Sequence, residues 1–94
     1  MEKLSIIIPV YNEVKTLNEI LGQVQAVKLK LEKEIILVDD FSTDGTRNIL
    51  KQIEDLNDPS MQVFYHSVNC GKGAALRPGF QKATGDLITF QNPT

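Results

Sequence analysis

The sequence predicts an α/β domain: a parallel sheet with helices on both faces, three layers in all. Three observations carry this. Two short runs, Leu4 to Val10 and Glu34 to Asp39, are apolar almost throughout, as strands buried on both faces are. Each is followed by a loop and then by apolar residues at helical spacing. Polar residues cluster at the carboxyl ends of the strands, where open parallel sheets bind ligands. Alternating strands and helices imply right-handed crossovers in one parallel sheet.

The elements follow in order. Leu4-Ser5-Ile6-Ile7-Ile8-Pro9-Val10 is the first strand. Thr16-Leu17-Asn18-Glu19 has the form of a capping box, and Leu17, Ile20, Leu21, Val24 and Val27 mark a helix over about residues 16–28. Glu34-Ile35-Ile36-Leu37-Val38-Asp39 is the second strand. Ser42 and Asp44 are then expected to cap a helix whose stripe is Ile49, Leu50, Ile53 and Leu56. Asn57-Asp58-Pro59-Ser60 is a turn cluster. Met61 to His66 reads as strand three, with Val63 and Tyr65 on one face and Phe64 on the other. Residues 71–83 read as a third helix, which Pro78 either delays to about Ala75 or kinks, and Asp86 to Phe90 reads as strand four.

A chain of 94 residues accommodates one domain, here spanning 1–94, in which roughly 60–70% of the unfolded surface is buried. Ten Lys and Arg against twelve Asp and Glu give a net charge of -2, which argues against nucleic acid or an anionic membrane as partner. The single cysteine, Cys70, excludes an internal disulfide, and no secretory leader pattern opens the chain, so a cytoplasmic protein is expected. No apolar run approaches the ~20 residues of a membrane span.

Chemistry concentrates in three loops. Strand one runs into Pro9-Val10-Tyr11-Asn12-Glu13, strand two into Asp39-Asp40-Phe41-Ser42, and strand three into Asn69-Cys70-Gly71-Lys72-Gly73. Together they offer a crevice with aromatic, carboxylate and cationic walls. Glu13 alone reads equally as a solvated loop charge. Asp39 and Asp40 are harder to dismiss, because adjacent carboxylates at the end of a buried strand repel unless a ligand or cation accepts them. Gly71-Lys72-Gly73 meets neither the P-loop pattern nor the dinucleotide-binding pattern, since Gly73 follows Lys72 and Leu76 stands where a third glycine belongs. A helix start beside a lysine still suits phosphate oxygens. His66 and Cys70 have no companion ligands for a metal site.

Four ordered motifs together resemble the opening of family 2 glycosyltransferases: Ser5 to Glu13, Ile36 to Thr46, Asn69 to Arg77, and Ala83-Thr84-Gly85-Asp86. The nearest likeness is to the dolichyl- or polyprenyl-phosphate mannose or glucose synthase branch, and it covers essentially the whole chain. The resemblance implies the nucleotide-sugar-binding half of a GT-A, Rossmann-like fold with sheet order 3-2-1-4. It implies that Pro9, Tyr11, Asn12 and Glu13 line the nucleoside pocket, that Asp39 or Asp40 accepts hydrogen bonds from base or ribose, and that Gly71 and Lys72 lie toward the donor phosphates. The partner it implies is a UDP- or GDP-sugar, or the nucleoside diphosphate itself.

Members of that family continue strand four into Gln-Asp-x-Asp, whose carboxylates hold Mg²⁺ or Mn²⁺. Here Gln91 is followed by Asn92, Pro93 and Thr94. A truncated transferase is therefore expected, with no catalytic or metal residues of its own, no tightly bound cofactor, and weak nucleotide binding without transfer. The alternative is a scaffold that self-associates, or binds a partner, through the edge of strand 86–90. Val38-Asp39-Asp40 is also similar to the acidic pair of receiver domains. There, however, the pair closes the first strand, and here no aspartate ends strand three to take a phosphoryl group.

Overall fold

The computed structural model of the chain describes residues 3–26, 32–66, 81–85 and 87–90. Its elements are β1 (Lys3–Val10), α1 (Leu17–Ala26), β2 (Glu32–Asp39), α2 (Thr46–Asp55), β3 (Met61–Tyr65) and β4 (Leu87–Phe90). The strands form one sheet in the order β3-β2-β1-β4, and every pairing is parallel. Val27, and the third helix expected over 71–83 apart from residues 81–83, lie outside the described residues; 81 and 82 are helical.

Strand alternation splits the core into two faces. Ile6, Ile8 and Val10 of β1 and Ile35 and Leu37 of β2 pack against Leu17 and Leu21 of α1 and Leu50 and Ile53 of α2. Ile7, Ile36 and Val38 point the other way, onto Phe64 and Ala83. Val63 and Tyr65 join the first face and Phe64 the second, as their alternation predicts. Each such aliphatic side chain taken wholly out of water contributes about 1.5–3 kcal/mol. Pro9 pairs with Val38 of β2 and lies beyond the β1–β4 pairs of the described residues, which run from Leu4↔Leu87 to Ile7↔Phe90.

Two helix starts differ from expectation. The Thr16 hydroxyl donates to Glu13 Oε2 rather than completing a capping box, while the amides of Thr16 and Leu17 donate to the Glu13 carbonyl at 3.1 and 2.8 Å. Glu13 thus seats the first turn of α1. At α2 the residue before the first turn is Gly45, at φ 100°, a conformation that L side chains rarely adopt. Asp44, expected as a cap, stands one residue before that position, and its Oδ1 accepts from the Thr46 amide at 3.0 Å. Ser42 caps nothing; its hydroxyl accepts from the Asn12 amide at 2.9 Å. The turn at 57–60 is confirmed, with Asn57 at φ 53° ending α2 and Asp58 Oδ1 accepting from the Ser60 amide.

At the amino end of the sheet, a buried carboxylate secures the chain leading into β4. Glu34 Oε2 accepts from Ser5 Oγ (2.9 Å) and from the amide and hydroxyl of Thr84 (3.2 and 2.9 Å). Gln62 Nε2 donates to Oε1 at 3.1 Å, and Lys3 Nζ stands 3.6 Å away. Burial pushes the Glu34 carboxyl up, but the hydrogen bonds from Thr84 and Ser5 and the charge of Lys3 outweigh it and hold the group below its ordinary 4.5. A carboxyl depressed in the folded state lends stability above its unfolded value and loses it as pH falls through the folded one. Urea midpoints are therefore expected to fall as pH drops below about 4.5, and Glu34→Gln is expected to flatten that part of the profile; an unchanged profile in the variant would refute the assignment.

Candidate functional site at the carboxyl ends of the strands

β1 and β2 release the chain side by side, and hydrogen bonds stitch their two loops together. The Asn12 amide donates to Ser42 Oγ (2.9 Å), and Asn12 Oδ1 accepts from the Thr43 amide (2.8 Å). The Glu13 amide donates to Thr46 Oγ1 (3.0 Å) and the Val14 amide to Asp44 Oδ2 (3.3 Å). Burial pushes the Asp44 carboxyl up, but bonds from the Thr46 hydroxyl and amide and the Val14 amide overcome this and hold it below its usual range. Asn12 takes φ 52°, where asparagine is among the few tolerated side chains. A hollow of about 300 Å³ lies against this pair of loops, lined by Asn12, Glu13, Val14, Lys15, Thr16 and Asp44.

The paired aspartates are both buried, at 0% and 4% exposure. For Asp39 the expected repulsion is offset by a cation, the Arg47 guanidinium. Asp39 lies on the α2 side. Its Oδ2 takes the Arg47 Nε–H at 2.7 Å and the Ser42 amide at 3.1 Å, while its buried Oδ1 accepts no hydrogen bond. Arg47 also donates through Nη2 to the His66 carbonyl. Its guanidinium lies 5.2 Å from the Phe41 ring centre and 5.3 Å from that of Tyr65. Tyr65 donates its hydroxyl to Glu54, and burial, then that bond, push its own proton affinity well up.

Of the expected site residues, the structure brings Tyr11, Asn12, Glu13, Asp39 and Asp40 to one end of the sheet. Tyr11 is 47% exposed, whereas Pro9 is buried within β1 opposite Val38. Gly71 and Lys72, with Asn69, Cys70, Gly73 and Pro78, lie outside the described residues, as do Gln91, Asn92, Pro93 and Thr94. Arg47 escaped the sequence reading, which places Phe41 in the loop without a role. One signal pointed to Arg47: a cation in the first turn of a helix opposes the helix dipole, so it needs a particular partner.

The resemblance implies a divalent ion held by carboxylates after strand four. No three His, Cys, Asp or Glu side chains converge among the described residues, and positions 91–94 read Gln-Asn-Pro-Thr, without a carboxylate. Also among the described residues, no helix is long and apolar enough to cross a membrane.

Known proteins place this geometry. The family model for glycosyl transferase family 2 matches residues 5–93. The chain belongs to that family. Similar glycosyl transferases include the undecaprenyl-phosphate 4-deoxy-4-formamido-L-arabinose transferases of Pseudomonas fluorescens, 39% identical over 96% of this chain, and of Proteus mirabilis, 34% identical over 99%. The chain spans 29% and 31% of the length of these two relatives. Among solved structures, S. aureus TarS in complex with UDP-GlcNAc superposes with a TM-score of 0.82 at 30% identity, covering 97% of this chain and 26% of that one. The mannosyltransferase PcManGT of Pyrobaculum calidifontis, in complex with GDP-Man and Mn²⁺, gives 0.86 over 98% of this chain and 27% of its own; at 24% identity it speaks to the fold alone. The sheet order 3-2-1-4 and the GT-A architecture are thus those the sequence implied. The likeness to sugar transferases acting on a polyprenyl phosphate agrees with the names of the relatives.

Proposed function

We propose that this chain is the nucleotide-sugar-binding part of a glycosyltransferase that passes a hexosyl or related sugar from a UDP- or GDP-sugar to a lipid phosphate, such as that of the mannose and glucose synthases. The observation that carries this reading is the hydrogen-bonded pair of loops at the ends of β1 and β2, which presents Tyr11, Asn12 and Glu13 beside two buried aspartates. Carboxylates there accept from the N–H and O–H groups of a base or ribose. Asp40, or the Oδ1 of Asp39, which accepts no hydrogen bond, takes that part. By the family likeness Gly71 and Lys72 are assigned to the diphosphate, whose charge a lysine offsets. The relatives named for undecaprenyl phosphate and the TarS structure with UDP-GlcNAc support the substrate class. We place the protein on the cytoplasmic side, its one cysteine requiring no oxidising compartment.

With no carboxylate at 91–94, the 94 residues alone bind nucleotide weakly and transfer nothing. Calorimetry is expected to give saturable binding of UDP or GDP that Mn²⁺ leaves nearly unchanged. Labelled sugar is expected to stay off polyprenyl phosphate; incorporation above a protein-free control would refute the second half of the reading. Self-association through the β4 edge is the companion proposal, motivated by Ile88, 38% exposed on that strand. Light scattering at tens of micromolar is expected to give a dimer or larger, and a monomeric mass would contradict it.

A further inference from the structure

Arg47 stands where the helix dipole disfavours it, in the first turn of α2. The contacts it makes there reach two segments, the end of β2 with its loop and the end of β3. Its Nε–H meets Asp39 Oδ2 at the end of β2, and its Nη2 meets the His66 carbonyl just past β3. Its guanidinium carbon lies over the ring of Tyr65 in β3 and over that of Phe41 in the loop after β2. Phe41 takes φ 67°, a left-handed conformation that is strained for a bulky side chain, and its ring is 40% exposed to solvent. Something must hold the backbone there, and the guanidinium against the ring does so. The neighbours of Phe41 in sequence are Asp40 and Ser42, and Ser42 receives the Asn12 amide. A shift in Phe41 therefore travels to Asp40 on one side and, through one hydrogen bond, to the β1 loop on the other.

We propose that Arg47 is a positioning residue of the nucleotide site: by clamping Asp39, Phe41 and the His66 carbonyl together, it sets the loop conformation in which Asp40, Asn12 and Glu13 meet the nucleoside. This rests on the nucleotide-binding reading above. The function needs arginine in particular. A lysine ammonium opposite Asp39 preserves the charge pair, but it has no planar fork to reach two acceptors while stacking on a ring.

The test titrates UDP and GDP into ¹⁵N-labelled wild-type chain, Arg47→Lys, Phe41→Gly and the core variant Ile53→Val. Arg47→Lys is expected to keep a native amide spectrum, with local shifts at Ser42 and His66, and to bind about tenfold more weakly. Phe41→Gly keeps the Asp39 pair and adopts φ 67° freely, so it supplies the same comparison if the lysine variant fails to fold; a weakening of about threefold is expected. Ile53→Val thins the core on the same helix and is expected to bind as the wild type does. Wild-type affinity in both Arg47→Lys and Phe41→Gly would overturn the proposal and leave the nucleotide-binding reading intact. An equal loss in Ile53→Val would show that affinity merely follows stability, which also overturns it. Absence of saturation in the wild type would overturn both the proposal and the reading on which it rests.

Discussion

Arg47→Ala is expected to cost about 3 kcal/mol of folding stability, the lower end of the range for removing one partner of a buried ion pair. Asp39 is fully buried, and its Oδ1 already lacks a donor. Without the guanidinium, Oδ2 keeps only the Ser42 amide, so a carboxylate is left in the protein interior with one hydrogen bond. The His66 carbonyl loses its side-chain donor at the same time, and the Phe41 and Tyr65 rings lose the cation between them. The lower end applies because the Arg47 side chain is 33% exposed, so water follows it in and part of the pair is already screened. Urea unfolding followed by circular dichroism reads the loss. Adding Asp39→Asn to the alanine variant is expected to recover part of it, since a buried amide is cheaper to leave half-satisfied than a buried charge. A midpoint unchanged by Arg47→Ala would remove the clamp from this account.

Gly85→Ala is expected to be comparably severe, by about 2–3 kcal/mol, through overpacking rather than charge. A Cβ on Gly85 would lie 2.6 Å from Ser5 Oγ, 2.8 Å from the Lys3 carbonyl and 2.8 Å from the Ser5 amide nitrogen. Two of these are backbone atoms of the central strand β1, which cannot swing aside as a side-chain tip does. The same move breaks the bond from the Gly85 amide to Ser5 Oγ (2.9 Å) and pulls Thr84 away from Glu34. Because β4 pairs with β1, among the described residues, over Leu4↔Leu87 to Ile7↔Phe90, against eight pairs between β1 and β2, its amides are expected to lose hydrogen-exchange protection while the β1–β2 pairing keeps its own. Uniform loss across the sheet, or none, would contradict this account of how β4 is held.

The sequence made the scaffold legible because its signals are local. Buried parallel strands announce themselves as β-branched runs, and α2 shows Leu50 and Ile53 at helical spacing before an Asn-Asp-Pro-Ser turn. The strand order came through the family likeness, since nothing in the apolar pattern alone ranks four buried strands. What stayed hidden are long-range polar contacts. Glu34 reads only as the first residue of a buried strand, and nothing local names its partners: it is 2% exposed and joined to Ser5 and Thr84, 29 and 50 residues away in the chain. Ser42 and Thr16 carry the residue types of helix caps, but their hydroxyls serve a neighbouring loop and a preceding carboxylate. Asp39 and Asp40 look mutually repulsive as letters, and the cation that offsets Asp39, Arg47, stands eight residues further on.

The central claim is that the nucleoside site lies in the stitched loops after β1 and β2. Amide shifts of the labelled chain during titration with UDP and GDP test it most directly. The account predicts saturable shifts at Tyr11, Asn12, Glu13, Asp39 and Asp40, extending to Gly71 and Lys72, with little change on adding Mn²⁺. Shifts confined to the opposite end of the sheet, around the hollow of about 230 Å³ lined by Lys3, Glu32, Lys33 and Glu34, or no shifts in a well-folded spectrum, would contradict it.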